Sequence, residues 1–229
     1  MDKLKVLLRE SVSTLLVSIL LLIPGFAYFE PNILLSQSTE DQFEVKQTVT
    51  AEITFATAAA DITMQPSIAG ITGGTGNGGT QFVVRTNNNT GYQLTITASS
   101  SVGMLGEQFG DSILNLVPAT PGVPDFSFDT APANSSAFAY TISASTTSDL
   151  VQAFLDNGAA CNTGAGQVEE KCWLNATTTA YTLINRSTAT EHSGSTSTIQ
   201  FRAIISANPS PEIDEDTYTA TSTLTATNN

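Results

Sequence analysis

The chain has 229 residues, 41% of them apolar, which suits one domain with a real core and is too long for a disulfide-only mini-protein. Only 13% are charged, and 21 acids against 8 bases give a net charge of −13, which excludes a nucleic-acid surface because phosphates need bases. One His and two Cys leave little material for a metal site, while 34 Thr and 23 Ser, about a quarter of the chain, favour strands.

The N-terminus reads as an export signal. Lys3, Lys5 and Arg9 precede an apolar run from Val12 to Ile23; Pro24-Gly25 then breaks the helix, and Gly25 and Ala27 offer small residues for cleavage. Ser36 and Ser38 are a second candidate pair. A retained anchor is the alternative, because the run extended to Phe29 approaches the ~20 residues that span a bilayer. The membrane is therefore a partner only through residues 12–29, if the leader stays. Removing 1–27 leaves 5 bases and 19 acids, so the exported charge is 5 − 19 = −14. Residues 28–42 read as a linker, and 43–229 as one β domain.

Period-two alternation opens that domain. Phe43, Val45, Val49, Ile53 and Phe55 fall on one face of a strand over 43–56, with Glu44, Lys46, Thr48 and Thr50 on the other. Short strands are expected at 61–65, 67–72 and 81–86. The glycine-rich run at 73–79 between them reads as a loop, because no Gly-Lys-Ser/Thr follows to make it a phosphate cradle. Tyr92, Leu94, Ile96 and Ala98 alternate again after the turn NNNTG. Further strands are expected at 113–117, 125–129 and 138–144, with PATPGVPD as a turn at 118–125.

The one helical piece is Ser148–Leu155, capped by Ser148 or Asp149, with Val151, Phe154 and Leu155 on its apolar face. Cys161 and Cys172 form one disulfide if the domain is exported, closing a Gly/Asn-rich loop. Trp173 packs over that bridge or, with Tyr181, offers a stacking surface to a carbohydrate. Strands follow at 173–176, 180–184 and 199–205. His192 lies in a polar stretch, and no G-x-S-x-G or H-E-x-x-H motif accompanies it. The acidic loop Glu212, Asp214, Glu215 and Asp216 reads as solvated; clustered carboxylates also suit calcium, but no EF-hand pattern surrounds them. The last strand, 217–227, sets Tyr218, Ala220, Leu224 and Ala226 against a row of threonines. Asn88, Asn134, Asn175 and Asn185 begin N-x-S/T triplets, as chance allows in so Thr-rich a chain.

Many short alternating strands with Gly, Pro and Asn between them predict an antiparallel β-sandwich, Ig-like or jelly-roll-like. The segments NNNTGYQLTITAS and DEDTYTATSTLTAT resemble those of exported bacterial β-sandwich surface proteins, loosely pilin-like or spore-coat-protein-U-like. That resemblance covers about a third of the chain. It implies a non-enzymatic extracellular subunit, polymerised in some relatives by strand exchange.

The expectation is therefore an acidic surface protein outside the cell, structural or interacting in role, with no catalytic residues, cofactor or metal. Its partners are a cell-envelope component or a second copy, the latter through strand 43–56. The alternative is a ligand-binding module built on Trp173 and Tyr181.

Overall fold

The computed structural model describes residues 39–229, so the leader and most of the linker lie outside the described residues. The chain divides into two units, Met1–Thr48 and Val49–Asn229. In the first, residues 39–48 are exposed and take no regular structure.

The second unit is an antiparallel β-sandwich. Ten strands run in chain order: β1 (Ile53–Thr57), β2 (Gly74–Thr86), β3 (Tyr92–Ala98), β4 (Met104–Gly106), β5 (Ser112–Ile113), β6 (Ser136–Ala144), β7 (Tyr181–Arg186), β8 (Ser195–Ile205), β9 (Tyr218–Thr219) and β10 (Ser222–Asn228). One sheet has the order β1-β2-β8-β6, facing it is β10-β3-β7, and a small β5-β4-β9 sheet stands beside them. The alternation explains the layers. Phe82, Val84, Phe138, Tyr140, Ile142 and Ile199 point inward from the first sheet, and Leu94, Ile96 and Ile184 meet them from the second. Among the described residues no helix is long and apolar enough to cross a membrane.

Four expectations are corrected. The strand expected over 43–56 begins only at Ile53; Phe43, Val45 and Val49 are at least 80% exposed, and no described residue pairs with their backbone. Alternation marks a face that can be buried, and burial needs a partner sheet.

The glycine run at 73–79 is no loop. Gly74–Gly79 belong to β2 and pair with β8, from Gly74 opposite Ile205 to Gly79 opposite Gln200. The helix expected at 148–155 is two single 3-10 turns, Thr147–Asp149 and Gln152–Phe154, with no side-chain caps. Asp149 is taken instead by Arg186, 2.6 Å away in a largely buried ion pair, while Leu150 bridges to Ile184 and breaks the helical run. Segments 61–65 and 67–72 contribute only single bridges, Gln65 to Asn77 and Ala69 to Gly73.

A second, smaller core lies on the outer face of the first sheet, where Trp173 and Phe128 cover Ala137, Ala139 and Ile204. Arg202 stacks 4.5 Å over the Trp173 ring and donates to Phe128 O, Asn77 Oδ1 and Glu170 Oε2. Trp173 is 1% exposed, so its role is packing. Trp173→Ala should destabilise the fold by about 3–5 kcal/mol, the usual cost of removing a buried large aromatic. Chemical denaturation of the variant checks this.

Candidate functional site: a cleft along the open seam of the sandwich

The two main sheets meet at one end and part at the other. At the closed end the Thr86 hydroxyl bridges Glu52 O (2.6 Å) and the Asn228 amide (2.9 Å), bringing the starts of β1 and β2's last residue beside the end of β10. Beyond Thr57 the chain leaves regular strand and runs as an irregular wall, residues 59–71. Among the described residues no ladder joins this wall or β1 to the free edge of β10.

Glycine decides where that wall goes. The inward side of β2 at Gly76 and Gly78 is bare, and the wall lies directly on it. A Cβ on Gly78 would collide with Ile62, and one on Gly76 would stand 3.1 Å from Pro66 O. Gln65 and Asn77 then exchange both backbone bonds at 2.8 Å, and Ala60 N donates to Thr80 Oγ1.

Between the wall and β10 opens a cleft of about 1190 Å³. Its floor is the sandwich interior itself: Ile96 and Leu224 from one sheet, Ile199 and Phe201 from the other, with Ile62 and Met64 on the wall. The volume exceeds the ~300–1,000 Å³ of ordinary small-molecule pockets. An open trough lined by alternate residues of two sheets matches an extended strand with one apolar face.

The rim is acidic. Asp61, Glu212, Asp214, Glu215 and Asp216 line the cleft, and no basic residue does. The acidic loop is an ordered clasp at the cleft's end. Asp216 Oδ2 accepts from the backbone N–H of Gln108 (2.8 Å) and Phe109 (3.4 Å), and Asp111 accepts from Asp214 N (3.0 Å) and the Tyr218 hydroxyl. Gly106 leaves room for both carboxylates: a Cβ there would lie 2.7 Å from Asp111 Oδ1 and 2.8 Å from Asp216 Oδ2. Among the described residues no three His, Cys, Asp or Glu side chains converge as a metal site.

The other expected site residues are scattered. Cys161 and Cys172 are joined, with Cα atoms 5.6 Å apart. By loop entropy, so short a loop contributes a little under ~3 kcal/mol. Its loop is shaped by buried Asp156, whose carboxylate accepts from Gly158 N and Val168 N. Trp173 presents no face to solvent, so the stacking role expected of it fails; it lies in the outer core, while Cys172 belongs to the main one. Tyr181 is half-buried, edge-on to Phe154, and its hydroxyl donates to Gly122 O. The hollow beside Cys161 holds about 230 Å³, below the range of sites that enclose a ligand. His192 sits exposed against Arg85, 2.7 Å away.

Comparison of the chain with protein-family models, characterised proteins and solved structures returns no match, so the functional reading rests on geometry.

The clasp carries a pH dependence of known sign. Backbone N–H donors, that of Gln108 first, hold the Asp216 carboxyl below its ordinary value of 3.8, against the opposing effect of desolvation. A lowered folded-state pKa contributes stability above the unfolded value, and that contribution is lost as the pH falls through the folded one. The clasp should therefore loosen only below about pH 4. Hydrogen exchange at Gln108 and Phe109 should rise there, and Asp216→Asn should raise it already at neutral pH.

Proposed function

We propose that the protein is an exported, non-enzymatic surface subunit that associates with copies of itself by strand donation, segment 43–49 of one chain entering the seam cleft of the next. The observation that carries the reading is one chain holding both complementary parts. It has an exposed ribbon with Phe43, Val45 and Val49 alternating along it, and a trough lined by half-buried Ile62, Met64, Phe201 and Leu224 beside an edge of β10 that no described strand pairs.

Export is supported by the leader-like N-terminus and by the disulfide, which persists in oxidising compartments. High negative charge suits a soluble exterior protein.

The arm's root also gives a direction. Asn87 accepts from Glu52 N (2.7 Å) and donates to Thr50 O (3.1 Å), so the chain departs at the Asn228 end of β10. The cleft lies toward the other end, beside Ala220–Leu224. β10 has seven residues, about 20 Å or more of strand. With the root at Thr50–Glu52 and the cleft at opposite ends of β10, donation is a heterologous, head-to-tail contact, which builds open filaments.

Burying a large apolar side chain contributes about 1.5–3 kcal/mol, so Phe43→Ser should weaken association by a factor of roughly ten to a hundred. Full-chain protein should run as heat-labile ladders on unheated denaturing gels. A chain carrying Phe43→Ser and Val45→Ser should give none alone, and neither should a cleft variant, Met64→Arg. Mixing the two should give dimers and nothing larger, because each supplies the part the other lacks. Dimers from either variant alone, or a monomeric wild type, would refute the reading.

A further inference from the structure

The chain carries 21 acids, yet one whole sheet face has no charged side chain. In the β10-β3-β7 sheet the apolar residues turn inward, and the register stacks what remains into rows. Thr223 lies opposite Thr97, and Thr225 opposite Thr95, which continues to Thr182. Thr227 lies opposite Gln93, which continues to Asn185. The β10 threonines and Asn185 are exposed, and the β3 residues are half-exposed beside them. With strands about 4.8 Å apart and same-face residues about 6.8 Å apart, this is a grid of short neutral side chains roughly 15 Å on a side.

Charge selects what can cover it. Two copies, each with a net charge of −13, repel wherever acidic surfaces meet. This face adds no charge of its own, and it is self-complementary in kind, with methyl and hydroxyl groups that pack or share hydrogen bonds with an identical grid. Its area, roughly 200–300 Å² by those spacings, is far below the ~800 Å² per partner of a standard stable interface. A single pair of faces does not hold two free chains together, whereas many faces in a row add through effective concentration.

We infer that the Thr/Gln/Asn face of the β10-β3-β7 sheet is a lateral contact between copies of this chain, each face meeting the same face of another, effective only when copies stand in arrays. Under the proposed function the array is a filament and the contact bundles filaments. The face can also be tested apart from filament formation, by displaying the protein densely on beads.

Every bead protein is the full chain carrying Phe43→Ser and Val45→Ser, so that the arm does not join beads; it is biotinylated on lysine, since no lysine belongs to this sheet, and loaded on streptavidin beads. Beads with the sheet face unchanged should clump while the same protein in solution shows no lateral dimer. Beads bearing Thr95→Glu with Thr225→Glu should disperse, with clumping reduced at least tenfold. The Thr95→Lys, Thr225→Lys beads should also disperse alone, yet clump when mixed with the Glu beads. Two glutamates placed instead at exposed Thr130 and Thr178 should leave clumping unchanged, which separates this face from general repulsion. Equal melting temperatures verify folding, and single Thr225→Glu serves where the double variant melts early.

Beads with the sheet face unchanged that stay dispersed, or clumping indifferent to the Glu pair, overturn the inference even if the wild-type chain forms ladders. Clumping of these arm-less chains supports the face whatever becomes of strand donation.

Discussion

The bare inner side of β2 is the constraint from which the site follows. Strands normally fill their inward positions with large residues, and β2 does so at Phe82 and Val84. At Gly76 and Gly78 it has nothing, and the chain uses the space for its own residues 62–68. Glycine weakens a strand, by roughly 0.5–1 kcal/mol each relative to alanine. Here the loss is offset by continuous pairing with β8 and by Ile62, Met64 and Ile68 packing where side chains of β2 would have been. The wall so placed lies against the first sheet and does not cross to β10. The sandwich is thus closed at the Thr86 end and open at the other.

Charges are used sparingly and in two distinct ways. Buried arginines hold turns: Arg186 fixes Asp149 in a largely buried pair, and Arg202 ties the Trp173 layer to Asn77 and to exposed Glu170. Leaving one partner unpaired in such places is costly, so these arginines act as fixed fasteners. Asp216 and the neighbouring Asp111 instead accept backbone N–H groups and order the cleft's end, while Asp61, Glu212, Asp214, Glu215 and Asp216 give it a negative rim. That rim disfavours anionic occupants and leaves the apolar floor as the attractive part of the site.

The legible parts of the fold are those whose partners lie on both sides. Tyr92–Ala98 and Ile199–Ile205 alternate cleanly between two strands each, and Phe138–Ala144, paired with β8 at the sheet's edge, gains single bridges to Asn115 and Leu174 on its other side. The misread parts each lack one term of the argument. Residues 73–79 have turn composition, and their pairing is visible only when β8 is placed beside them. Residues 43–52 have the pattern without a sheet to receive it. At 172–174 the alternation is plain, yet it does not tell which side holds the main core; Cys172 went there and Trp173 to the outer layer. The disulfide was legible because only two cysteines exist. The cleft was not, since its floor comes from residues that read simply as core.

An exposed apolar ribbon and an uncovered sheet edge are each a hazard, since either invites pairing with other chains. Sandwich proteins that remain single usually blunt such edges with charge, proline or a covering loop. This chain places acids at the rim of the cleft, while among the described residues no strand covers the free side of β10. Phe43, Val45 and Val49, for their part, stand in water. Hydrophobic burial is non-directional, so the two surfaces need only reach one another. Under the proposed function a second molecule satisfies both, and each addition then leaves one arm and one cleft free for the next.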